Sequence, residues 1–490
     1  MVTSTASAAV ECEILIIGAG FSGIGLGIQL KQHGLNDFII AEAEGGVGGT
    51  WWLNRYPGCA CDVQSHLYSL SFAPNPEWTR RFPPRSEIQQ HLDSSVRRFG
   101  LAAHLRLNTR IRQARWNAES TRWEVVDQGG QRYRARLLIS AIGGLSRPLI
   151  PSLPGLEDFQ GSIFHSQQWP DQMNLSGQRV AVIGGGASAI QFVPRIAPVV
   201  KQLDLYQRTP QWILPKPDRP ISAWKQRLFR YLPPLRLLRR FSYFILLESR
   251  LTAFNWSNRL TWLHRRKAIR HLRAQIDDPQ LRARLTPHYA MGCKRVLMSN
   301  DFYPALNRLN VAVMDGPIES IRHDGVVDAH GRHRPADVII LATGFKATQP
   351  VPEGLIIGRG GQDLAGLWSR GPSAYKGSAV HGFPNFFTLL GPNTALGHNS
   401  VLLMIEAQIK YILGAIEVLK DGKASLEVRA ARQRDWNRAL DRTLARSVWS
   451  MGGCASWYLH ASSGRNTTLW PDFTFRFSRQ TARFDADAYE

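Results

Sequence analysis

The 490-residue sequence is short of cysteine, of acidic residues and of long apolar runs. Its five cysteines, Cys12, Cys59, Cys61, Cys293 and Cys454, are odd in number and widely scattered, a poor disulfide framework. Cys59 and Cys61 form a CxC, but no second ligand pair stands at a spacing that would complete a zinc site. No metal is expected, and both are read as packing thiols. No stretch approaches the roughly 20 apolar residues that cross a bilayer; the run from Phe241 to Leu247 is far shorter. The N-terminus lacks the basic region, apolar run and cleavage site of a secretory signal. A cytoplasmic location is therefore expected. Short repeats and low-complexity tracts are also missing.

The shortage of acids is uneven. The chain carries 60 Lys and Arg against 38 Asp and Glu, a formal charge of +22. Between Ile221 and Ala290 there are 15 basic residues and three acids, Glu248, Asp277 and Asp278, an excess of +12. Aromatics are interleaved there, among them Trp224, Phe229, Tyr231, Phe241, Phe254, Trp256 and Trp262. Such mixing suits nucleic acid or a membrane surface, but no nucleic-acid motif accompanies it. The expectation is a helical segment with an apolar core face and a basic solvated face. No nucleic-acid partner is expected, and at most a weak peripheral membrane contact.

What the chain does have is two βαβ units. Ile14 to Ile17 form a continuous apolar run, as a strand buried on both faces should. The turn Gly18-Ala19-Gly20-Phe21-Ser22-Gly23 follows and opens a helix to about His33, where Gly34 suits a left-handed cap. A second strand, Phe38 to Ala41, ends at Glu42. The pattern returns with strand Val180 to Ile183 and the turn Gly184-Gly185-Gly186-Ala187-Ser188-Ala189. A helix to about Ile196 and a strand Leu203 to Tyr206 complete it, ending at Arg208-Thr209.

Each position in these turns has a physical task. The first glycine permits the tight turn, the second lets backbone approach a pyrophosphate, and the third allows close helix packing; alanine is tolerated there, as at Ala189. The helix N-terminus supplies free N–H groups for phosphates. The strand-end residue discriminates between dinucleotides. An acid binds a ribose 2′-hydroxyl, whereas arginine suits a 2′-phosphate. Glu42 lies 24 positions after Gly18, and Arg208 lies 24 after Gly184. The first site should take a dinucleotide with a free 2′-hydroxyl, FAD or NAD, and the second NADPH. Two further apolar strands end in small residues, at Ala141-Ile142-Gly143 and Ala342-Thr343-Gly344, as suits cofactors lying across the carboxyl ends of parallel sheets.

The segment Phe159-Gln160-Gly161-Ser162-Ile163-Phe164-His165-Ser166-Gln167-Gln168-Trp169-Pro170 resembles the FxGxxxHxxxWP signature of type I Baeyer–Villiger monooxygenases, a branch of the class B flavoprotein monooxygenases. Phe159, Gly161, His165, Trp169 and Pro170 all match. The likeness runs over nearly the whole chain. Gly49-Thr50-Trp51 through Tyr56-Pro57-Gly58 to Asp62 looks like a second signature of the family, and Tyr68 belongs with its flavin-binding set. Lys294-Arg295 looks like the segment holding the active-site arginine. Asn393, in Gly391-Pro392-Asn393, looks like part of the flavin-side closing strand and helix. Trp457 resembles a tryptophan on a mobile C-terminal loop near the nicotinamide. Ala60 is a departure, since some relatives carry arginine there, and no role for that arginine is transferred.

The resemblance implies an α/β fold of two Rossmann-like domains, with the NADP domain inserted in the FAD domain. It divides the chain into residues 1–147 for FAD, 148–345 for NADP including the helical segment 221–290, and 346–490 returning to the FAD domain. Pro148, Pro151 and Pro154 read as linker. It further implies FAD and NADPH as cofactors, O₂ and a ketone as substrates, and an ester or lactone formed through a C4a-peroxyflavin. Arg295 would stabilise the oxyanion, with Asp62 orienting it, and His165 would support the linker without touching substrate. The absence of a long N-terminal extension and the apolar segment around Phe241 are similar to relatives acting on open-chain or aryl-alkyl ketones. Two alternatives stand beside this reading: an N- or S-oxygenase, and an NADPH–flavin reductase without oxygenation. The oligomeric state is not readable.

Overall fold

The computed structural model describes residues 8–252 and 258–490. Phe254 and Trp256 of the basic, aromatic segment lie outside them. Two sheets organise the molecule. The first has eight strands, ordered Ile356–Ile357, Ile111–Asn117, Arg122–Asp127, Arg132–Ser140, Val10–Ile17, Phe38–Ala41 and Leu105–Arg106, with Phe386–Thr388 also paired to Arg132–Ser140. Its centre is parallel and fully apolar; Leu15, Ile16, Ile40 and Ile139 are buried on both faces. Burying side chains of that size contributes roughly 1.5–3 kcal/mol each. The strands Ile111–Asn117 and Arg122–Asp127 are antiparallel and alternate buried with exposed residues, as a one-sided sheet does.

The second sheet has five parallel strands, ordered Val311–Met314, Gln202–Tyr206, Arg179–Ile183, Val338–Leu341 and Ser162–His165. The chain leaves the first sheet after Ser140, builds the second between Ser162 and Leu341, and returns with Ile356–Ile357 and Phe386–Thr388. The long helix Val401–Lys420 then packs on the helix Phe21–Gln32.

The described part of the segment 221–290 is mostly helical, as expected, but two of its helices face opposite ways. In Asn258–Arg273 the basic residues Arg265, Arg266 and Arg270 are exposed, while Ala268 and Leu272 are buried. That matches the expected orientation. The helix Pro233–Glu248 reverses it. Leu237, Leu238, Phe241 and Ile245 face solvent, and its arginines turn inward. The reason is local. Arg240 donates from Nη1 to the carbonyls of His66, Leu67 and Ser69, and from Nη2 to Glu406 at 3.0 Å. Those carbonyls and that carboxylate need a cation more than the core needs another leucine. No helix among the described residues is long and apolar enough to cross a membrane.

Candidate active site

Both glycine turns open onto one cavity of about 2150 Å³. Small-molecule pockets occupy roughly 300–1,000 Å³, so this space has room for more than one ligand. The two turns repeat a single geometry. Gly18 N–H donates to Ala41 O at 2.8 Å, and Gly184 N–H to Tyr206 O at 2.9 Å. Both glycines have positive φ, +107° and +111°. A Cβ at Gly18 would stand 2.7 Å from Ala141 O, and one at Gly184 would stand 2.3 Å from Ala342 O. Neither position admits a side chain. The helices beyond the turns begin at Phe21 and Ala189 with no side-chain cap on their first N–H groups. Phe21 and Ser22 in one turn, and Gly186, Ala187 and Ser188 in the other, line the cavity beside these helix ends. This is the cradle a pyrophosphate requires. Gly23 and Ala189 lie beneath the turns and do not line it; the Cβ of a residue at 23 would sit 1.9 Å from Gly18 O.

The strand-end residues differ as their charges suggest. Glu42 is buried, and its Oε2 accepts the Ala19 N–H at 2.6 Å. Burial raises its carboxyl pKa against the pull of that bond and of the Glu44 N–H. Arg208 is exposed, and with Thr209 it lines the other end of the cavity. Lys294 faces it there. Burial, then the charge of Arg208, hold the Lys294 amine below the usual lysine range. Two cations that repel across a cavity wall form a seat for a dianion.

Asp62 and Arg295 meet on the wall of the same cavity. Arg295 donates from Nε to Asp62 Oδ2 at 2.6 Å and from Nη2 to Oδ1 at 2.7 Å. Nη1 reaches Leu396 O at 3.4 Å. Burial pushes the Asp62 carboxyl up, but Arg295 and then Lys216 pull it below the ordinary carboxylate range. Asp62 in turn raises the guanidinium of Arg295, against burial. Around the pair, Gly49, Thr50, Trp51 and Tyr68 line the cavity, and Trp51 Nε1 donates to the Tyr68 hydroxyl at 3.0 Å. Thr343, Gly344 and the half-exposed Trp457 close other sides.

The linker divides. Trp169 and Pro170 line the cavity, and Trp169 packs between Phe164 and Phe192 at ring distances of 5.2 and 5.3 Å. Phe159, Gly161 and His165 lie behind it. A side chain at Gly161 would meet Asp337 O at 2.3 Å. His165 is buried, its Nδ1 accepts the Gln167 N–H at 3.2 Å, and burial lowers its pKa, so the ring is neutral.

Three expectations need correction. Asn393 does not line the cavity; it is buried, and its Nδ2 donates to Asn466 O and Leu469 O, shaping the loop behind the wall. Phe241 is on the outer surface and gives no ground for a substrate preference. Two of the scattered cysteines, Cys293 and Cys454, form a disulfide. It ties the segment of Lys294-Arg295 to the loop of Trp457 across 161 positions, a nonlocal pairing that spacing does not reveal. Cys59 and Cys61 are free and buried, and burial pushes the Cys59 thiol up to about 11, so neither is a ready thiolate. The sequence reading also missed Gln191. Its Oε1 accepts the Tyr56 hydroxyl at 3.1 Å and the Ala60 N–H at 3.2 Å, pinning the Asp62 segment to the second helix. Tyr458, buried beside Arg295 with its hydroxyl pKa pushed up by burial to about 12, was missed as well. Its neighbour Trp457 was the only local signal.

Comparison with known proteins places this geometry. A family model described as pyridine nucleotide-disulphide oxidoreductase matches residues 15–232. A Baeyer–Villiger monooxygenase of Pseudomonas aeruginosa is 52% identical over 99% of this chain and 92% of its own length. The chain belongs to the Baeyer–Villiger monooxygenases. A second relative of that name, from Streptomyces coelicolor, is 44% identical over 97% of this chain and 92% of its own length. The structure of cyclohexanone monooxygenase from a Rhodococcus species bound to NADP+ superposes with a TM-score of 0.88 at 25% identity, covering 99% of each chain. A complex of OTEMO with FAD and NADP gives 0.87 at 27% identity, covering 98% of this chain and 99% of the other.

Proposed function

We propose that this Baeyer–Villiger monooxygenase binds FAD at the Gly18 turn and NADPH at the Gly184 turn, and inserts one oxygen atom beside a ketone carbonyl. The two uncapped helix ends and the closed Cβ positions of Gly18 and Gly184 fit two pyrophosphates. Residues 1–147 and 346–490 are assigned to FAD, and 148–345 to NADPH. Glu42 accepts a ribose 2′-hydroxyl, and Arg208 with Lys294 takes the 2′-phosphate. The balance is ketone, O₂, NADPH and a proton giving ester or lactone, NADP⁺ and water. When bound, the flavin supplies activated oxygen after taking a hydride from NADPH.

The carrying observation is the bidentate pair of Arg295 and Asp62 on the wall shared by both turns. Arginine keeps its charge under any neighbour. Asp62 fixes its plane, so a permanent cation lines the cavity and is available to stabilise negative charge on a carbonyl oxygen. A preorganised donor of this kind contributes roughly 10²–10³ in rate. Trp457 and Trp169 line the cavity and supply apolar surface that disfavours water beside the reacting centre. His165 stays behind the linker, and its neutral ring braces the strand end.

On the family resemblance alone, open-chain aliphatic and aryl-alkyl ketones are the proposed substrates, and the cytoplasm, which holds NADPH, is the proposed location. Incubation with a methyl ketone and a thioether, with NADPH in air, tests the reaction. Ester as the main product is expected. Sulfoxide alone, or hydrogen peroxide with no oxygenated product, would overturn it. A matched series of cyclic ketones tests the class, with lower kcat/KM expected for the rings.

A further inference from the structure

We propose that the outward face of the helix Pro233–Glu248, with the basic helix Asn258–Arg273 after it, is a docking surface for an anionic lipid bilayer. The first helix shows water the face that a helix on a soluble protein normally hides. Leu237, Leu238, Phe241 and Ile245 are 56%, 63%, 57% and 50% exposed, and steps of three and four place them on one stripe. Its arginines leave that stripe bare. Arg240 binds backbone carbonyls and Glu406, and Arg239 lies over the buried ring of Tyr243 at 5.1 Å. On the preceding helix, Ala223–Tyr231, Trp224 and Tyr231 are also exposed. Apolar patches rimmed by polar groups mark partner or membrane sites, whereas isolated exposed leucines do not.

Charge selects the occupant. On Asn258–Arg273 a groove of about 480 Å³ is lined by Trp262, Arg265, Arg266, Ile269, Arg270 and Arg273. Arg266 sits 4.2 Å over the Trp262 ring. Four guanidinium groups beside an aromatic ring suit phosphate-bearing head groups at the interface, where tryptophan also prefers to lie. A second copy of this chain would bring the same positive face against itself. A nucleic acid would satisfy the arginines and leave Leu238, Phe241 and Ile245 with nothing to enter. An anionic leaflet satisfies both sets: the apolar stripe enters the acyl boundary, and the basic groove holds phosphates.

The placement has a consequence for catalysis. The same helix ends at Glu248, which accepts Asn399 Nδ2 at 2.7 Å and the Thr474 N–H at 3.1 Å. Asn399 itself lines the cavity. A docked surface is thus joined through one helix to the wall of the cavity, and ketones poorly soluble in water concentrate in the same leaflet.

Flotation of the FAD-loaded enzyme with phosphatidylcholine vesicles, with and without phosphatidylglycerol, tests the proposal at low salt. Each basic residue near an anionic leaflet adds roughly fivefold to partitioning, so enrichment of about tenfold or more on anionic vesicles is expected. Leu238→Asp with Phe241→Asp, and separately Arg266→Glu with Arg270→Glu, should each lower it about tenfold. These side chains are exposed, so melting temperature, flavin content and kcat on a water-soluble ketone should not move. Equal recovery from neutral and anionic vesicles would overturn the proposal. So would a dimer dissolved by the Leu238→Asp, Phe241→Asp pair, or duplex DNA binding that this pair leaves intact while vesicle binding is absent.

Discussion

In the first glycine turn, Gly18 is closed against Ala141 O and donates to Ala41; in the second, Gly184 is closed against Ala342 O and donates to Tyr206. The backbone is written twice. The side chains that meet it are not. Glu42 is buried with a backbone N–H on its carboxylate, while Arg208 stands open to the cavity and shares it with Lys294. On the proposed assignment, backbone geometry builds the seat for a dinucleotide, and one strand-end residue selects which.

The comparison breaks hardest at its glycines. Gly18→Ala should give colourless protein without activity, because the added Cβ meets a strand carbonyl and strains a left-handed backbone. Gly184→Ala should stay yellow and lose NADPH instead, its KM rising about 10²-fold, or about 2.7 kcal/mol of binding. Flavin absorbance and NADPH kinetics check both; loss of flavin from Gly184→Ala would undo the assignment.

Between the turns, Arg295→Ala should leave flavin reduction by NADPH nearly unchanged. Ester formation should fall by at least roughly 10²-fold. Single-turnover reduction, followed by product analysis under O₂, separates the two steps. Ester formation at the parent rate would remove Arg295 from the reaction.

A smaller effect separates the turns through the disulfide. Cys293–Cys454 ties the segment of Lys294, at the second site, to the Trp457 loop. Cys454→Ser, or the parent enzyme treated with dithiothreitol, should release NADP⁺ several-fold faster, with flavin content unchanged. Such bonds are rare in a reducing cytoplasm and serve there mainly in sensing or catalysis. Stopped-flow displacement of NADP⁺ measures the rate, and an unchanged rate would make the bond irrelevant to cofactor retention.

The smallest effect is on stability with pH, and it concerns the first half. Burial pushes His66 and His91 down to about 4. Below the ordinary histidine range near 6.5, the unfolded chain takes protons that the native rings refuse. Stability should therefore fall as pH drops from about 6.5 to 4. His91→Gln should flatten that slope by about 1–2 kcal/mol at pH 5. Denaturant midpoints at pH 7 and 5 measure it; an unaltered slope would mean the ring is charged in the native state.

Much of this architecture was legible because it is local. The strands Phe38–Ala41 and Val338–Leu341 are where continuous apolar runs put them, and Gly34 follows its helix with φ +72°. Buried parallel strands announce themselves this way. The linker residues were also legible, since Gly161 admits no side chain and Trp169 fills a gap between two phenylalanines. Nonlocal features left no mark in spacing. The disulfide, the Gln191–Ala60 bridge and the approach of Lys294 to Arg208 join residues 161, 131 and 86 positions apart, and only folding brings them together. The reversed helix Pro233–Glu248 misled for another reason. Its periodicity is a good amphipathic pattern, but periodicity does not say which face is inside, and Glu406 with three backbone carbonyls claimed the basic one.

The most direct test of the division between the turns is the ratio of kcat/KM for NADPH to that for NADH, measured for the parent enzyme and for Arg208→Ala. The account predicts a strong parent preference for NADPH that drops by about 10-fold or more, roughly 1.4 kcal/mol, with NADH kinetics and flavin content unchanged. Equal losses with both cofactors would contradict it.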